Sequence, residues 1–263
     1  MNWRRFSIEV EGGALHGEAR GETPALCFIH GMGGDRRDWD RLIEQLPADL
    51  PLLRHDMRGF GASRAEPSVS FSHAEDMLAL LDAQGIERIV PVGLSMGGGV
   101  ALNFALSHPE RVERLVLVSP AMVGWDWSDE WKAEWRAVSR AARGGDMALA
   151  RALWFDHPMF AQLRADPALA AEFRQTVEEF AGQQWLGSDE RAELPDVDRL
   201  PALAPPVLLL SGGRDVADMR LIADVIAGAA PQVTRVDFPD AGHMLHIERP
   251  AEAARAITDF LRA

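Results

Sequence analysis

The sequence predicts an α/β fold with a mostly parallel sheet flanked by helices. Three observations carry that expectation. Short, nearly all-apolar runs recur at 25–29, 50–53, 89–92, 115–118 and 207–210. Continuous runs of that length suit strands buried on both faces, as in a parallel sheet. Segments with helical spacing separate them, so strand and helix alternate. One long stretch, about 120–200, breaks the rhythm and carries helical pattern only.

Taken in order, the chain begins with Phe6, Ile8 and Val10 alternating with polar residues, then Gly12-Gly13 turns it into 14–19. This predicts two paired strands. Two arginines, Arg4 and Arg5, precede no apolar stretch, so a secretory signal is not expected at Met1-Asn2-Trp3. Trp39, Leu42, Ile43 and Leu46 follow helical spacing up to Pro47. Met77, Leu78, Leu81 and Ile86 mark a second helix, closed by Gly85. A third starts at Ser95 and runs through Val100, Leu102 and Phe104 to His108-Pro109. Two more fall at 221–226 and 251–261. The helical stretch holds Trp125, Trp127, Trp131, Trp135, Trp154 and Trp185, six of the eight tryptophans. Pro195, Pro201, Pro205 and Pro206 mark the return to the sheet. The expected organisation is one core from 1–119 and 201–263, with a helical insertion at 120–200.

Composition narrows the function classes. The chain has 263 residues and a formal charge of −13. That field repels phosphate backbones and anionic membrane surfaces, so neither nucleic acid nor membrane is an expected partner. A small anionic substrate stays open, because a local arginine outweighs a distant field beyond a screening length of about 8–10 Å. No run of about 18 apolar residues occurs, and a cytoplasmic protein is the expectation. Cys27 is the only cysteine, which excludes an internal disulfide and any multi-cysteine metal site. Its apolar neighbours predict a buried, inert thiol. No metal or nucleotide site is evident, so no cofactor is expected. Oligomeric state is not legible.

The chemistry centres on Gly93-Leu94-Ser95-Met96-Gly97, a Gly-x-Ser-x-Gly pattern between a strand run and a helical run. A sharp turn there projects the serine oxygen from the sheet edge, and the helix N-terminus favours an oxyanion. A helix-capping serine in a glycine-rich turn is the plain alternative. His30-Gly31-Met32-Gly33-Gly34 follows another strand. Its glycines let backbone amides converge, and the amides of Met32 and Met96 are the natural oxyanion donors. His30 is read as fixing this loop by hydrogen bonding, and is kept as a candidate substrate contact. His243, in a loop after the strand-like 234–238, is the expected base, with His246 as its nearest rival. Asp215, in a glycine loop after 207–210, is the expected orienting acid, with Asp218 as rival. Either aspartate could instead cap a helix near Met219.

These segments resemble the α/β-hydrolase superfamily over nearly the whole chain. The matching stretches are His30-Gly31-Met32-Gly33, Asp56-Met57-Arg58-Gly59-Phe60-Gly61-Ala62-Ser63, residues 93–98, Gly213-Arg214-Asp215 and Gly242-His243. The order Ser95, Asp215, His243 is the order such a hydrolase uses. The resemblance implies an α/β-hydrolase fold, a structural turn at 56–63 and a helical cap at 120–200 over the active site. Trp127, Trp131 and Trp135 fall at i, i+4, i+8. They either fix the cap to the core or line an apolar acyl or alcohol pocket. Trp125, Trp131, Trp154, His157, Phe160 and Trp185 are candidate substrate contacts, with Met159 beside them. Arg136, Arg140 and Arg143 are candidates for a substrate carboxylate, with solvation as the alternative. The implied activity is cofactor-independent serine hydrolysis of a small carboxylic ester. Some segments are also similar to enol-lactone hydrolases of aromatic catabolism. Lactone hydrolysis and carbon–carbon bond hydrolysis therefore stand as alternatives, and a small-molecule receptor on the same fold is the non-enzymatic one. Relatives that use an aspartate nucleophile are disfavoured, since position 95 is serine.

Overall fold

The Gly12-Gly13 turn joins two antiparallel strands, β1 (Arg4–Val10) and β2 (Gly13–Arg20). The computed structural model describes residues 3–187 and 189–263; Met1 and Asn2, where the absence of a secretory signal was expected, lie outside the described residues. The apolar runs become β3 (Leu26–Ile29), β4 (Leu52–His55), β6 (Val90–Leu94), β7 (Leu115–Val118) and β8 (Val207–Gly212), and the strand-like 234–238 becomes β9 (Val233–Phe238). A two-residue β5 (Arg64–Ala65) pairs with β2. Among the described residues the order across the sheet is β1-β2-β4-β3-β6-β7-β8-β9. Every neighbouring pair from β4 to β9 is parallel.

The helices alternate with these strands. They are α1 (Asp40–Ile43), α2 (His73–Ala83) and α3 (Met96–Ser107), then α4 (Asp129–Arg143) through α8, then α9 (Ala217–Ala229), α10 (Leu245–Glu248) and α11 (Pro250–Arg262). α5 (Met147–Phe155), α6 (Ala161–Arg164), α7 (Pro167–Glu179) and α8 (Gln183–Leu186) complete the helices between β7 and β8. β7 and β8 pair directly, so the insertion leaves the sheet continuous. Among the described residues no helix is long and apolar enough to cross a membrane.

Two boundaries depart from the apolar pattern. The helix expected from Trp39 to Leu46 is a 3-10 turn, Arg36–Trp39, followed by the single turn α1. Trp39, Leu42, Ile43 and Leu46 are nevertheless all buried, so the spacing marked the core face and overstated the helix. β4 runs on through Arg54 and His55. Arg54 is tolerated inside because Glu18 accepts from it at 2.6 and 2.9 Å. A buried charge of this kind survives only when paired. The turn at 56–63 is held together by Asp56. Its carboxylate accepts from the Arg36 and Ala62 amides at 2.9 Å and pairs with the Arg36 guanidinium.

Topology places the site. The chain leaves β3 for β4 on one side, then crosses to β6 on the other. A crevice opens where strand order reverses, beyond the C-terminal ends of the strands. The loops after β3 and β6 flank that crevice. Cys27 sits in β3 beneath it, fully buried, and burial pushes its thiol pKa far up.

Candidate active site

Ser95 stands between β6 and α3 with φ +52° and ψ −117°. A left-handed backbone is costly for serine and persists only where its surroundings fix it. Here they do. The Ser95 amide donates to Val118 at 3.0 Å, and its carbonyl accepts from Ala121 at 2.8 Å and Gly99 at 3.0 Å. Glycine is needed at 97, where a Cβ would run into the backbone oxygens of Ile29 and His30. The same close approach brings the loop after β3 against the serine.

His243 follows β9, and Asp215 follows β8. Asp215 Oδ2 accepts from His243 Nδ1 at 2.8 Å, while its Oδ1 accepts from the Val216 amide at 2.7 Å. Both side chains are buried. With the proton on Nδ1, Nε2 is left as an acceptor. Glu248 was not anticipated. Its Oε2 accepts from the Gly242 amide at 2.8 Å and fixes the loop just before His243. Ser95 and His243 line one small cavity of about 20 Å³, together with Phe160. The Phe160 ring meets the His243 ring edge-on at 6.3 Å.

The two rivals serve elsewhere. Asp218 accepts from Ser128 Oγ at 2.6 Å, from the Ser128 amide at 3.1 Å and from Trp125 Nε1 at 3.1 Å. Burial alone would raise its pKa, but these bonds hold it below the usual carboxylate value. Asp218 thus ties the start of α4 to α9. His246 is fully buried against Trp39, ring centroids 4.7 Å apart, and burial pushes its pKa to about 3.

His30 is also fully buried. Its Nδ1 donates to the Gly31 carbonyl at 2.8 Å, and its Nε2 accepts from the Met57 amide at 3.0 Å. Both ring nitrogens are engaged in holding the loop. Met32 lies in that loop, and Met96 opens α3, where first-turn amides have no intrahelical acceptor.

Above Ser95 lies a largely apolar cavity of about 360 Å³, which Met32 and Met96 also line. Trp127, Trp131, Trp135, Trp154 and Met159 form much of its wall. Trp131 and Trp154, two of the candidate substrate contacts, are thus part of this wall. Trp127 does not continue the helical face. It precedes the N-cap Ser128 and reaches the wall by stacking on Trp131 at 4.3 Å. Besides His30, four candidates stand away from this cavity. Trp125 is turned to Asp218 by its indole N–H. Trp185 is fully buried, packed at 4.8 Å on Phe180. His157 sits behind the wall, 5.1 Å from Trp131, with Nε2 held by Glu134 at 2.9 Å. Burial pushes its pKa down to about 4. Phe160 lines the small cavity beside His243. Arg136 lines the larger cavity, and so does Lys132, which sequence reasoning passed over. Lys132 carries one available signal, being the only lysine in the chain. A second, more polar cavity of about 590 Å³ meets the first at Met32, Met96 and Trp135.

Known proteins share this architecture. The sequence profile described as alpha/beta hydrolase fold matches residues 24–250. A pimeloyl-[acyl-carrier protein] methyl ester esterase from Nitrosomonas europaea is 30% identical, over 91% of this chain and 96% of its own length. A 2-hydroxymuconate semialdehyde hydrolase from Pseudomonas sp. strain CF600 is 30% identical, over 90% and 86%. Among solved structures, the enol-lactonase from Burkholderia xenovorans LB400 superposes with a TM-score of 0.84 at 26% identity, over 98% of this chain and 100% of its own.

Proposed function

The chain belongs to the α/β-hydrolase fold family and is an enzyme of that fold, and from this premise we propose that it is a cofactor-independent serine hydrolase of small carboxylic esters. Ser95 is the nucleophile, His243 the base and Asp215 the orienting acid. The observation that carries the reading is the joint one at the crevice. A serine held at φ +52° shares a cavity with a histidine whose Nδ1 is bonded to a buried aspartate at 2.8 Å.

His243 Nε2 takes the Ser95 proton as Oγ attacks the ester carbonyl. The oxyanion rests on the Met32 and Met96 amides, helped by the N-terminus of α3. His243 then gives the proton to the leaving alcohol. Water repeats the sequence on the acyl-enzyme, releasing the acid. In this reading residues 120–200 are a cap on a core of 1–119 and 201–263, and the two adjoining cavities leave room for the two halves of an ester.

The test is multiple-turnover hydrolysis of a 4-nitrophenyl ester. Ser95→Ala should lower kcat by at least about a thousandfold, as losing a triad nucleophile does. Undiminished turnover in the variant would overturn the assignment. Lactone hydrolysis is the second reading, favoured by the likeness to the enol-lactonase. It uses the same groups. A clear preference for a lactone over its open-chain ester would displace the ester reading. Carbon–carbon hydrolysis, the activity named for the muconate-semialdehyde relative, belongs in the same substrate panel.

A further inference from the structure

From the wall of the cavity above Ser95 we infer that the preferred substrate has an apolar body ending in an anion, such as a carboxylate. This rests on ester hydrolysis at Ser95 and names the form of the ester. The cavity is lined mostly by aromatic and methionine side chains, and among the described residues Lys132 and Arg136 are its only charged lining residues. None of the described acidic residues lines it.

The two cations belong to α4, four residues apart, each next to a wall tryptophan in the order Trp131-Lys132 and Trp135-Arg136. At that spacing one helix presents two adjacent stripes, one aromatic and one cationic. Like charges at i, i+4 repel and do not help the helix form. Among the described residues, Arg136 has no ion-pair or hydrogen-bond partner. Lys132 pairs at 2.7 Å with Asp126, whose side chain is 94% exposed. So solvated a pair holds its lysine weakly.

The rest of the molecule makes this placement informative. The chain carries a formal charge of −13 and a single lysine. Its overall field opposes the approach of an anion. Two cations lining a largely apolar chamber reverse that field locally, within a screening length of about 8–10 Å. A neutral apolar group would gain nothing from them. A group whose far end is anionic gains both the tryptophan contact and the two cations.

The experiment compares carboxylates with their uncharged primary amides. One pair carries the anion on the acyl half: the mono-4-nitrophenyl ester of adipic acid against 4-nitrophenyl adipamate. The other carries it on the alcohol half: 4-acetoxybutyrate against 4-acetoxybutanamide. In at least one pair kcat/KM should favour the carboxylate by about fivefold to tenfold, the scale of two partly exposed ion pairs. The preference should act through KM and shrink as salt rises. In the double variant Arg136→Gln, Lys132→Gln the ratio should fall to about one. Because each ratio is taken on one enzyme sample, a loss of folded protein does not alter it. Equal rates in both pairs, or a preference that survives in the double variant, would overturn the inference. If the amide esters are still turned over, and Ser95→Ala abolishes that turnover, ester hydrolysis stands while the anion preference falls. If no ester is turned over, both readings fall together.

Discussion

Asp215 and Asp218 lie three residues apart, and chain geometry gives them different partners. Asp215 accepts a hydrogen bond from His243 Nδ1, while Asp218 accepts three from Trp125 and Ser128. On the proposed mechanism Asp215→Asn should lower kcat by about 10³–10⁴, because an amide can favour the wrong imidazole tautomer. Its cost in stability should be small beside that. Asp218→Asn should do the reverse. Weakening a carboxylate that accepts three bonds should cost about 1–3 kcal/mol of folding free energy, with the larger loss seen in urea unfolding rather than in kcat. Paired kinetic and unfolding measurements on the two variants check the division. Sequence reasoning reached Asp215 from its glycine loop, but the separation of the two acids needed the position of Ser128, ninety residues away.

Among the elements, the β6–α3 turn was the most legible. Gly-x-Ser-x-Gly names a backbone conformation as well as a residue, since only small neighbours allow the serine its positive φ. Gly97→Ala should destabilise the protein by about 1–3 kcal/mol, the usual cost of overpacking. The added methyl has only the backbone of Ile29 and His30 to displace, so the Ser95 turn should shift with it. A fall in unfolding midpoint together with loss of the proposed esterase activity is the expected result; unaltered stability would contradict the close packing. α4 was harder to read. Its tryptophans were visible, but spacing placed Trp127 on the helix, whereas the Ser128 N-cap starts α4 only after it. Trp125 and Trp185 looked like the other tryptophans in sequence. Their hydrogen bonds and burial set them apart, and residue type carries no record of either.

For the whole molecule, buried histidines link the core to pH. Burial pushes His55, His73 and His246 down to about 3 and His157 to about 4. An unfolded histidine titrates near 6.5. Between those values the unfolded chain binds protons that the folded chain refuses, so stability falls as pH drops from about 6.5 toward 3. Asp196, raised to about 6 by burial, acts in the opposite sense. The difference between wild type and His246→Gln isolates one histidine. Urea unfolding at pH 7.5 and pH 5 should show a smaller acid loss in the variant, whatever its stability at neutral pH. An identical loss would mean that His246 is not held neutral inside.

The sequence by itself determined the alternation of strand and helix, the long helical interruption, and the residues able to form a serine site. Those features are written locally, in periodicity, glycine placement and turn chemistry. Tertiary structure alone decided which acid meets His243, which four tryptophans face the cavity, and that Lys132 and Arg136 border it. These depend on contacts between segments far apart in the chain. No local pattern encodes them, because the same tryptophan or aspartate serves equally as a strut or as a wall until the sheet brings its neighbours in.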